Sequence, residues 1–207
     1  MNDELINISV MVSGNGTNLQ ALIDGVADGR IKGARIVLVL SSREDVYALE
    51  RARRAGIKTV VVSAKDYPDA GEKADAILTA LEDAKTDLVV TAGYISLLHK
   101  RVCSAYLRRM INIHPSLLPK YGGAGCFGLH VHQAVLDAGD KVSGATVHYV
   151  DDIGVDTGEI ILQGCAPVLE GDTPEILQKR ISEEVEHRII VEGTNLIVQK
   201  LAGQNGD

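Results

Sequence analysis

Residues 6 to 26 read INISVMVSGNGTNLQALIDGV and contain a predicted strand, a glycine loop and a predicted helix, in that order. The segment Ile6 to Val12 is rich in β-branched and apolar residues, which favours a buried strand. From Leu19 onward, apolar residues recur at i, i+3, i+4 and i+7, the spacing of one helix face. A strand followed at once by an amphipathic helix is the repeating unit of a parallel sheet covered by helices.

The rest of the chain repeats this alternation. Further strands are predicted at Arg35 to Leu40, Lys58 to Ser63, Asp87 to Thr91, Met110 to Ile113, Ala145 to Val150 and Glu159 to Leu162. Helices are predicted around Ala74 to Leu81, from about Leu129 to Ala138, and from Asp172-Thr173-Pro174 to about Leu201. The pattern predicts an α/β fold with an open, mostly parallel twisted sheet and helices on both faces. We find no internal repeat or flexible linker, so a single domain over residues 1 to 207 is expected.

Composition limits the class of protein. The chain has 207 residues, 45% of them apolar, and a formal net charge of −7. No cluster of Lys and Arg is long enough to follow a phosphate backbone, so nucleic acid is not an expected partner. Arg51 to Arg54 and Arg108-Arg109 are interpreted as solvated helix faces.

The expected location is cytoplasmic, with no membrane association. Apolar runs are short, and Met1 to Glu4 lacks the basic, then apolar, pattern of a secretory leader. Cys103, Cys126 and Cys165 are odd in number and far apart. They therefore favour reduced thiols over a disulfide framework or a zinc site.

The segment Met110 to Pro119 reads MINIHPSLLP and carries the strongest chemical pattern. Side chains alternate across a strand, so Asn112 and His114 share one face with about 7 Å between their Cα atoms. An amide donor beside a titratable ring suits a reaction that builds negative charge on a carbonyl oxygen.

The glycine loop Ser13 to Asn18 joins the first strand to the first helix. Backbone N–H groups are unpaired at such a helix start and the helix dipole is positive there, so a phosphate could bind without any Lys. Thr17 and Asn18 could add side-chain donors or cap the helix. The alternative is a turn whose glycines serve only backbone geometry. A dinucleotide fingerprint fails because Leu19 stands where the third Gly is required, and the Gly-Lys-Ser/Thr of a Walker loop is absent.

The segment Asp151 to Gly158 is an acidic, glycine-containing loop after a predicted strand. It is either a solvated turn or the source of a carboxylate that raises the pKa of His114. The pair His130 and His132 is not expected to bind metal, because residues two apart do not share a helix face. His148 is interpreted as structural.

Taken together, these motifs closely resemble one enzyme family. SGNGTNLQAL at residues 13 to 22, NIHPSLLP at 112 to 119, GATVH at 144 to 148 and DTG at 156 to 158 are similar, in that order, to the phosphoribosylglycinamide formyltransferases. The resemblance covers about residues 6 to 200. It implies transfer of a formyl group from 10-formyltetrahydrofolate, a co-substrate, to the amine of N1-(5-phospho-D-ribosyl)glycinamide (GAR) in purine biosynthesis.

The resemblance also implies site residues. The GAR-binding set is Gly16, Thr17, Asn18 and Glu186; the folate-binding set is Tyr94, Ile95, Ser96, Leu97, Leu98, Asn112, Asp152, Ile153, Gly154, Val155 and Asp156; the catalytic set is Asn112, His114 and Asp156. Protonated His114 and the Asn112 amide are expected to stabilise the oxyanion, with Asp156 keeping the ring charged. The resemblance further implies a nucleotide-substrate half at about residues 1–100, a folate and catalytic half at about 101–207, no metal, and a monomer or homodimer.

Two segments depart from the family pattern. Many relatives carry an Arg, used toward the glutamyl tail of the folate, in the segment aligned with Asp69 to Lys73. Here either Lys73 substitutes for it or the tail is held less firmly. The segment Tyr121 to Gly128 is longer than the tight turn of some relatives, and is either a mobile flap or a passive loop.

Three alternatives were weighed. Methionyl-tRNA formyltransferase and formyltetrahydrofolate deformylase share the NxHP motif but are expected to need an additional domain. A dinucleotide-binding module could use Ser41-Ser42-Arg43 toward a 2′-phosphate, but that reading leaves Asn112, His114 and Asp156 without a role.

Overall fold

The structure is a computed structural model that describes residues 5 to 204. Met1 to Glu4, whose sequence was compared with a secretory leader, lie outside the described residues. Within this range seven strands form one sheet: β1 Ile6–Val12, β2 Ala34–Ser41, β3 Lys58–Val61, β4 Leu88–Thr91, β5 Met110–His114, β6 Val142–Tyr149 and β7 Ile160–Pro167. The helices are α1 Thr17–Ala27, α2 Tyr47–Arg54, α3 Ala70–Asp83, α4 Lys100–Ala105, α5 Leu129–Asp137, α6 Pro174–Ile181 and α7 His187–Gln204, with one π-helical segment at Ser182–Glu186 between α6 and α7.

The strand order is β3-β2-β1-β4-β5-β6-β7. Strands β1 to β5 are parallel, whereas β6 pairs antiparallel with both β5 and β7. The predicted open, mostly parallel sheet is thus confirmed. The direction of chain progression reverses between β1 and β4, and a crevice at the carboxyl ends of strands flanking such a point is where open α/β sheets bind ligands.

Apolar side chains cover both faces of the sheet, which explains the nearly unbroken apolar runs in the strands. On one face α1 and α7 approach closely, and a Cβ added to Gly25 would lie 2.9 Å from the Val191 side chain. On the other face, Ile77 and Leu81 of α3 pack with Leu38 and Val89. The two layers hold the loops at the carboxyl ends of the strands in place.

Several boundaries differ from the predictions. Strand β6 begins three residues before its predicted start, and β7 ends five residues after its predicted end. Gly144 and Gly164 interrupt the apolar pattern of these strands. They do not interrupt the pairing, in which Ala145 lies opposite Gly164. Helix α4 has six residues and escaped prediction, because so short a helix shows no periodicity.

The prediction for Arg108-Arg109 was wrong. Both residues follow α4 rather than lie on a helix, and Arg108 has a left-handed backbone with φ 62°. Their guanidinium groups lie over the rings of Tyr149 and Tyr106, respectively. The helix predicted for Arg51 to Arg54 is confirmed as part of α2.

The start of the last helical segment is confirmed, but its interior was not foreseen. Thr173 caps α6 by accepting a hydrogen bond from the Ile176 N–H, and Pro174 occupies the first turn. The helix then widens into the π-helical segment before α7. Such segments occur frequently at functional sites. Among residues 5 to 204, no helix has both the length and the apolarity that a membrane crossing requires.

Candidate active site

A cavity of about 940 Å³ opens at the carboxyl ends of β1, β4 and β5. The glycine loop lies at one end, and the end of β5 with Asn112 and His114 contributes to the wall. The remaining lining includes residues 94–98, 123–128, 150–158 and parts of 178–187. Segments from opposite ends of the chain therefore share one chamber.

The glycine loop ends at Gly16, which caps α1 in a left-handed conformation with φ 75°. A Cβ at this position would lie 2.6 Å from the Ala48 Cβ, so only glycine fits without a shift of α2. Thr17 and Asn18 were expected either to add side-chain donors or to cap the helix, and neither side chain caps it. The amide groups of the first turn, within the described chain, have no side-chain cap and are available to an anion.

Asn18 instead contacts the far end of the chain. Its Nδ2 donates to Glu186 Oε2 at 2.9 Å, across 168 residues of sequence. Burial raises the pKa of Glu186 above its ordinary value, although hydrogen bonds from Asn18 and Ser182 oppose this. The structure thus brings together two residues of the GAR-binding set that the resemblance implied.

His114 and Asp156 meet in the interior. His114 Nδ1 lies 3.3 Å from Asp156 Oδ2, and their side chains are 5% and 8% exposed. Asp156 has a left-handed backbone with φ 58°, and its Oδ2 also accepts the Gly123 N–H at 3.0 Å. The loop 151–158 therefore supplies a carboxylate to the ring rather than forming only a solvated turn.

The ionisation of His114 differs from the expectation. Burial lowers its pKa below the ordinary value, and the opposing effects of Asp156 and of the Tyr121 carbonyl are smaller. The expected rise in the pKa of His114 is therefore wrong, because desolvation of the ring outweighs its one carboxylate neighbour. Both ring nitrogens nevertheless face oxygens, since Nε2–H donates to the Tyr121 carbonyl at 2.8 Å. Nε2 therefore carries a hydrogen, because a carbonyl oxygen can only accept.

Asp156 is a carboxylate in this setting. Burial alone would raise its pKa, but contacts with His148, His114 and the Gly123 N–H together lower it below the ordinary value. A fixed negative charge therefore lies beside the His114 ring at neutral pH.

Asn112 is held from two sides. Its Oδ1 accepts from Thr91 Oγ1 at 2.6 Å, and its Nδ2 lies 3.1 Å from His148 Nε2. His148 is directly opposite Asn112 in the antiparallel β5–β6 pair. Sequence reasoning assigned His148 a structural role and missed this position. Its alternation with Thr146 in a strand was the only available pattern, and it did not reveal which strand would lie opposite.

The segment Tyr94 to Leu98, which follows β4, borders the cavity. Ile95 and Leu97 are 56% and 80% exposed, and Ile153 on the facing loop is 84% exposed. Exposed apolar side chains at the mouth of a cavity favour a ligand with a flat apolar surface. Ser96 accepts a hydrogen bond from the buried Lys73 Nζ at 2.6 Å.

His130 is exposed on α5 while His132 is 1% exposed, and among residues 5 to 204 no group of three or more His, Cys, Asp or Glu side chains could hold a metal ion. Ser42, suggested as part of a 2′-phosphate site, is buried and hydrogen-bonded to Ser13 Oγ at 2.6 Å.

Comparison with known proteins assigns the class. Residues 6–194 match the sequence pattern of the formyl transferase family, and the chain belongs to this family. It is 41% identical over 186 residues to phosphoribosylglycinamide formyltransferase of Escherichia coli K12, a match that covers 89% of this chain and 83% of that protein.

Two further relatives extend this result. The crystal structure of glycinamide ribonucleotide transformylase 1 from Symbiobacterium toebii superposes with a TM-score of 0.88 at 44% identity, covering 97% of this chain and 90% of that one. The trifunctional purine biosynthetic protein adenosine-3 of Drosophila pseudoobscura pseudoobscura is 47% identical over 177 residues, 84% of this chain. The matched part spans only 12% of that longer protein.

Proposed function

We propose that the chain transfers the formyl group of 10-formyltetrahydrofolate to the amine of GAR, giving formyl-GAR and tetrahydrofolate in de novo purine biosynthesis. The observation that carries this proposal is that one cavity contains both the uncapped start of α1 and the cluster of Asn112, His114 and Asp156, here called the Asn–His–Asp cluster. Relatives that match the chain over most of their length carry the name of this activity.

The GAR phosphate binds at the amide groups of Gly16, Thr17 and Asn18. The uncapped start of α1 supports this assignment, because it offers backbone donors and the positive end of a helix dipole. Glu186, already joined to Asn18, lines the same cavity and accepts a ribose hydroxyl. Together these groups orient the glycinamide amine toward β5.

The pterin half of the folate lies between the segment Tyr94 to Leu98 and the loop Asp152 to Asp156. The side chains of Ile95, Leu97 and Ile153 support this assignment, because they border the cavity and remain exposed to solvent. The formyl group then reaches Asn112, which lines the same cavity.

The chemistry is a direct transfer. The GAR amine attacks the formyl carbon, a new C–N bond forms and the carbonyl oxygen becomes an oxyanion. The Asn112 N–H and the Nε2–H of His114 stabilise that oxygen. The bond to N10 of the folate then breaks, and a proton from the attacking nitrogen passes to N10 through water, assisted by Asp156. Because the Tyr121 carbonyl occupies His114 Nε2 here, the ring has to exchange that bond for the substrate oxygen.

The remaining assignments are also proposals. The partners are the two small-molecule substrates, with no nucleic acid, no membrane and no metal requirement. Three free thiols, at Cys103, Cys126 and Cys165, are consistent with a reducing, cytoplasmic compartment. A single domain with a nucleotide-substrate half and a folate half, and a monomeric or homodimeric state, remain predictions.

A four-way assay tests the function. The protein is mixed with 10-formyltetrahydrofolate and either GAR, charged initiator tRNA or buffer alone, while NADPH binding is followed separately by fluorescence. We expect absorbance from the folate product only when GAR is present. Product formation in buffer alone would instead identify a hydrolase, and formylated tRNA would identify a different transferase.

A further inference from the structure

We propose that His148 is a positioning residue that holds the Asn112 amide in the orientation that donates to the reacting oxygen. The inference deepens the proposed function, on which it rests. His148 is 2% exposed and belongs to none of the site residues discussed for the reaction above. It is adjacent to both Asn112 and Asp156.

The hydrogen-bond pattern defines the tautomer of His148. Its Nδ1 lies 2.9 Å from the Tyr149 carbonyl oxygen, which can only accept, so Nδ1 carries the hydrogen. In the neutral ring Nε2 is then an acceptor. The nearest polar atom to it is Asn112 Nδ2 at 3.1 Å, which donates.

This bond settles the direction of the Asn112 amide. Oδ1 is engaged by the Thr91 hydroxyl at 2.6 Å, and one Nδ2 hydrogen is engaged by His148. An amide nitrogen has two hydrogens, so the second Nδ2–H is the donor left for the cavity that Asn112 lines. Without an acceptor at His148 the amide would lose the contact that distinguishes its nitrogen end from its oxygen end.

The other tautomer of His148 would reverse this preference. Asp156 Oδ1 lies 3.5 Å from the same Nε2, longer than the contact with Asn112. A ring with its hydrogen on Nε2 would donate to Asp156 and present a donor, not an acceptor, to the Asn112 amide.

Two variants distinguish the effect of the acceptor atom from that of the imidazole ring. In His148→Gln, Oε1 can accept from Asn112, whereas His148→Leu offers no acceptor. We expect kcat of the Gln variant to stay within about tenfold of the unmodified protein and that of the Leu variant to fall by about 10²-fold, the effect of one misplaced oxyanion donor. The exposed His130→Gln serves as the matched control and should leave kcat unchanged.

A spectroscopic measurement on the unmodified protein does not depend on variants folding. In ¹⁵N-labelled protein at neutral pH, long-range ¹H–¹⁵N correlation should give His148 a protonated Nδ1 and an unprotonated Nε2. A hydrogen on Nε2, or equal kcat of the Gln and Leu variants, would overturn the proposal. If the unmodified protein transfers no formyl group to GAR, the proposed function fails, while the tautomer still tests the Asn112–His148 bond.

Discussion

The glycine loop and the Asn–His–Asp cluster of Asn112, His114 and Asp156 lie at two ends of one cavity. They present polar groups to that cavity in different ways. At the loop, residues 13–18 are contiguous and the donors are backbone amides directed by Gly16 and α1. At the cluster, the groups are side chains from β5 and the loop that follows β6. A backbone site depends on local conformation and does not titrate, whereas a side-chain cluster depends on tertiary assembly and responds to pH.

The largest expected effect comes from removing a group of the cluster. We expect Asn112→Ala, His114→Ala and Asp156→Asn each to reduce kcat by about 10² to 10³-fold or more, because each removes or misorients an oxyanion-stabilising group. Steady-state kinetics with GAR and 10-formyltetrahydrofolate measures this. The exposed Asp137→Asn on α5 is a matched control for Asp156→Asn. Near-normal activity in any of the three would remove that residue from the assignment.

A second test exploits the buried histidines of this region. Burial, with a smaller contribution from His114, lowers the pKa of His132 to about 4 from 6.5. Between these values the unfolded chain binds a proton that the folded protein does not, so the free energy of unfolding decreases as pH falls through this window. At about 1.4 kcal/mol per unit, His132 accounts for a loss of up to about 3 kcal/mol.

Denaturant unfolding at several pH values measures this contribution. The loss between pH 6.5 and 4 should be smaller in His132→Gln than in the unmodified protein, and unchanged in the exposed His130→Gln. Parallel pH dependences for all three proteins would contradict the assignment. The glycine loop contains no titratable side chain and should not contribute to this window.

A third test addresses the backbone site. We expect Gly16→Ala to destabilise the fold by about 1 to 3 kcal/mol, because it combines a left-handed φ with a Cβ 2.6 Å from Ala48. It should also raise the KM for GAR. Gly14→Ala is the control in the same loop, since a Cβ there meets nothing within 4 Å. Equal stability of the two variants, measured by denaturant unfolding, would show that Gly16 is not required.

The smallest effect is expected at the contact between Asn18 and Glu186. Glu186→Gln replaces an acceptor of the Asn18 amide and of the ribose by a group that also donates. We expect about a tenfold rise in the KM for GAR with little change in kcat, as for one weakened hydrogen bond. Initial rates at varied GAR concentration measure this. Glu192→Gln on the exposed face of α7 is the control, and an unchanged KM in both variants would exclude Glu186 from GAR binding.

Sequence patterns predicted the order of strands and helices because the strands contain runs rich in Val, Ile and Leu, separated by segments of helical period. Strand β1 agrees with its prediction at both ends, and Thr173 and Pro174 mark the start of α6 as expected. Short or irregular elements were missed. Helix α4 is too short to show periodicity, and a π-helical segment has no distinct residue pattern.

The candidate site was only partly predictable. Asn112 and His114 were found from strand alternation, and Glu186 and Asp156 from family resemblance. The contact of His148 with Asn112 could not be inferred, because it arises from an antiparallel pairing across 36 residues. The pKa of His114 was predicted in the wrong direction, because the sequence contains no measure of burial.

The sequence by itself determined the α/β order of elements, the glycine loop and the Asn–x–His spacing, since these depend on neighbouring residues and on the two-residue period of a strand. Tertiary structure alone decided the contacts of Asn18 with Glu186, of Asp156 with His114 and of Asn112 with His148. Those contacts join residues that are distant along the chain. Their distances, and the desolvation that lowers the pKa of His114, exist only once the sheet has brought the segments into one buried chamber.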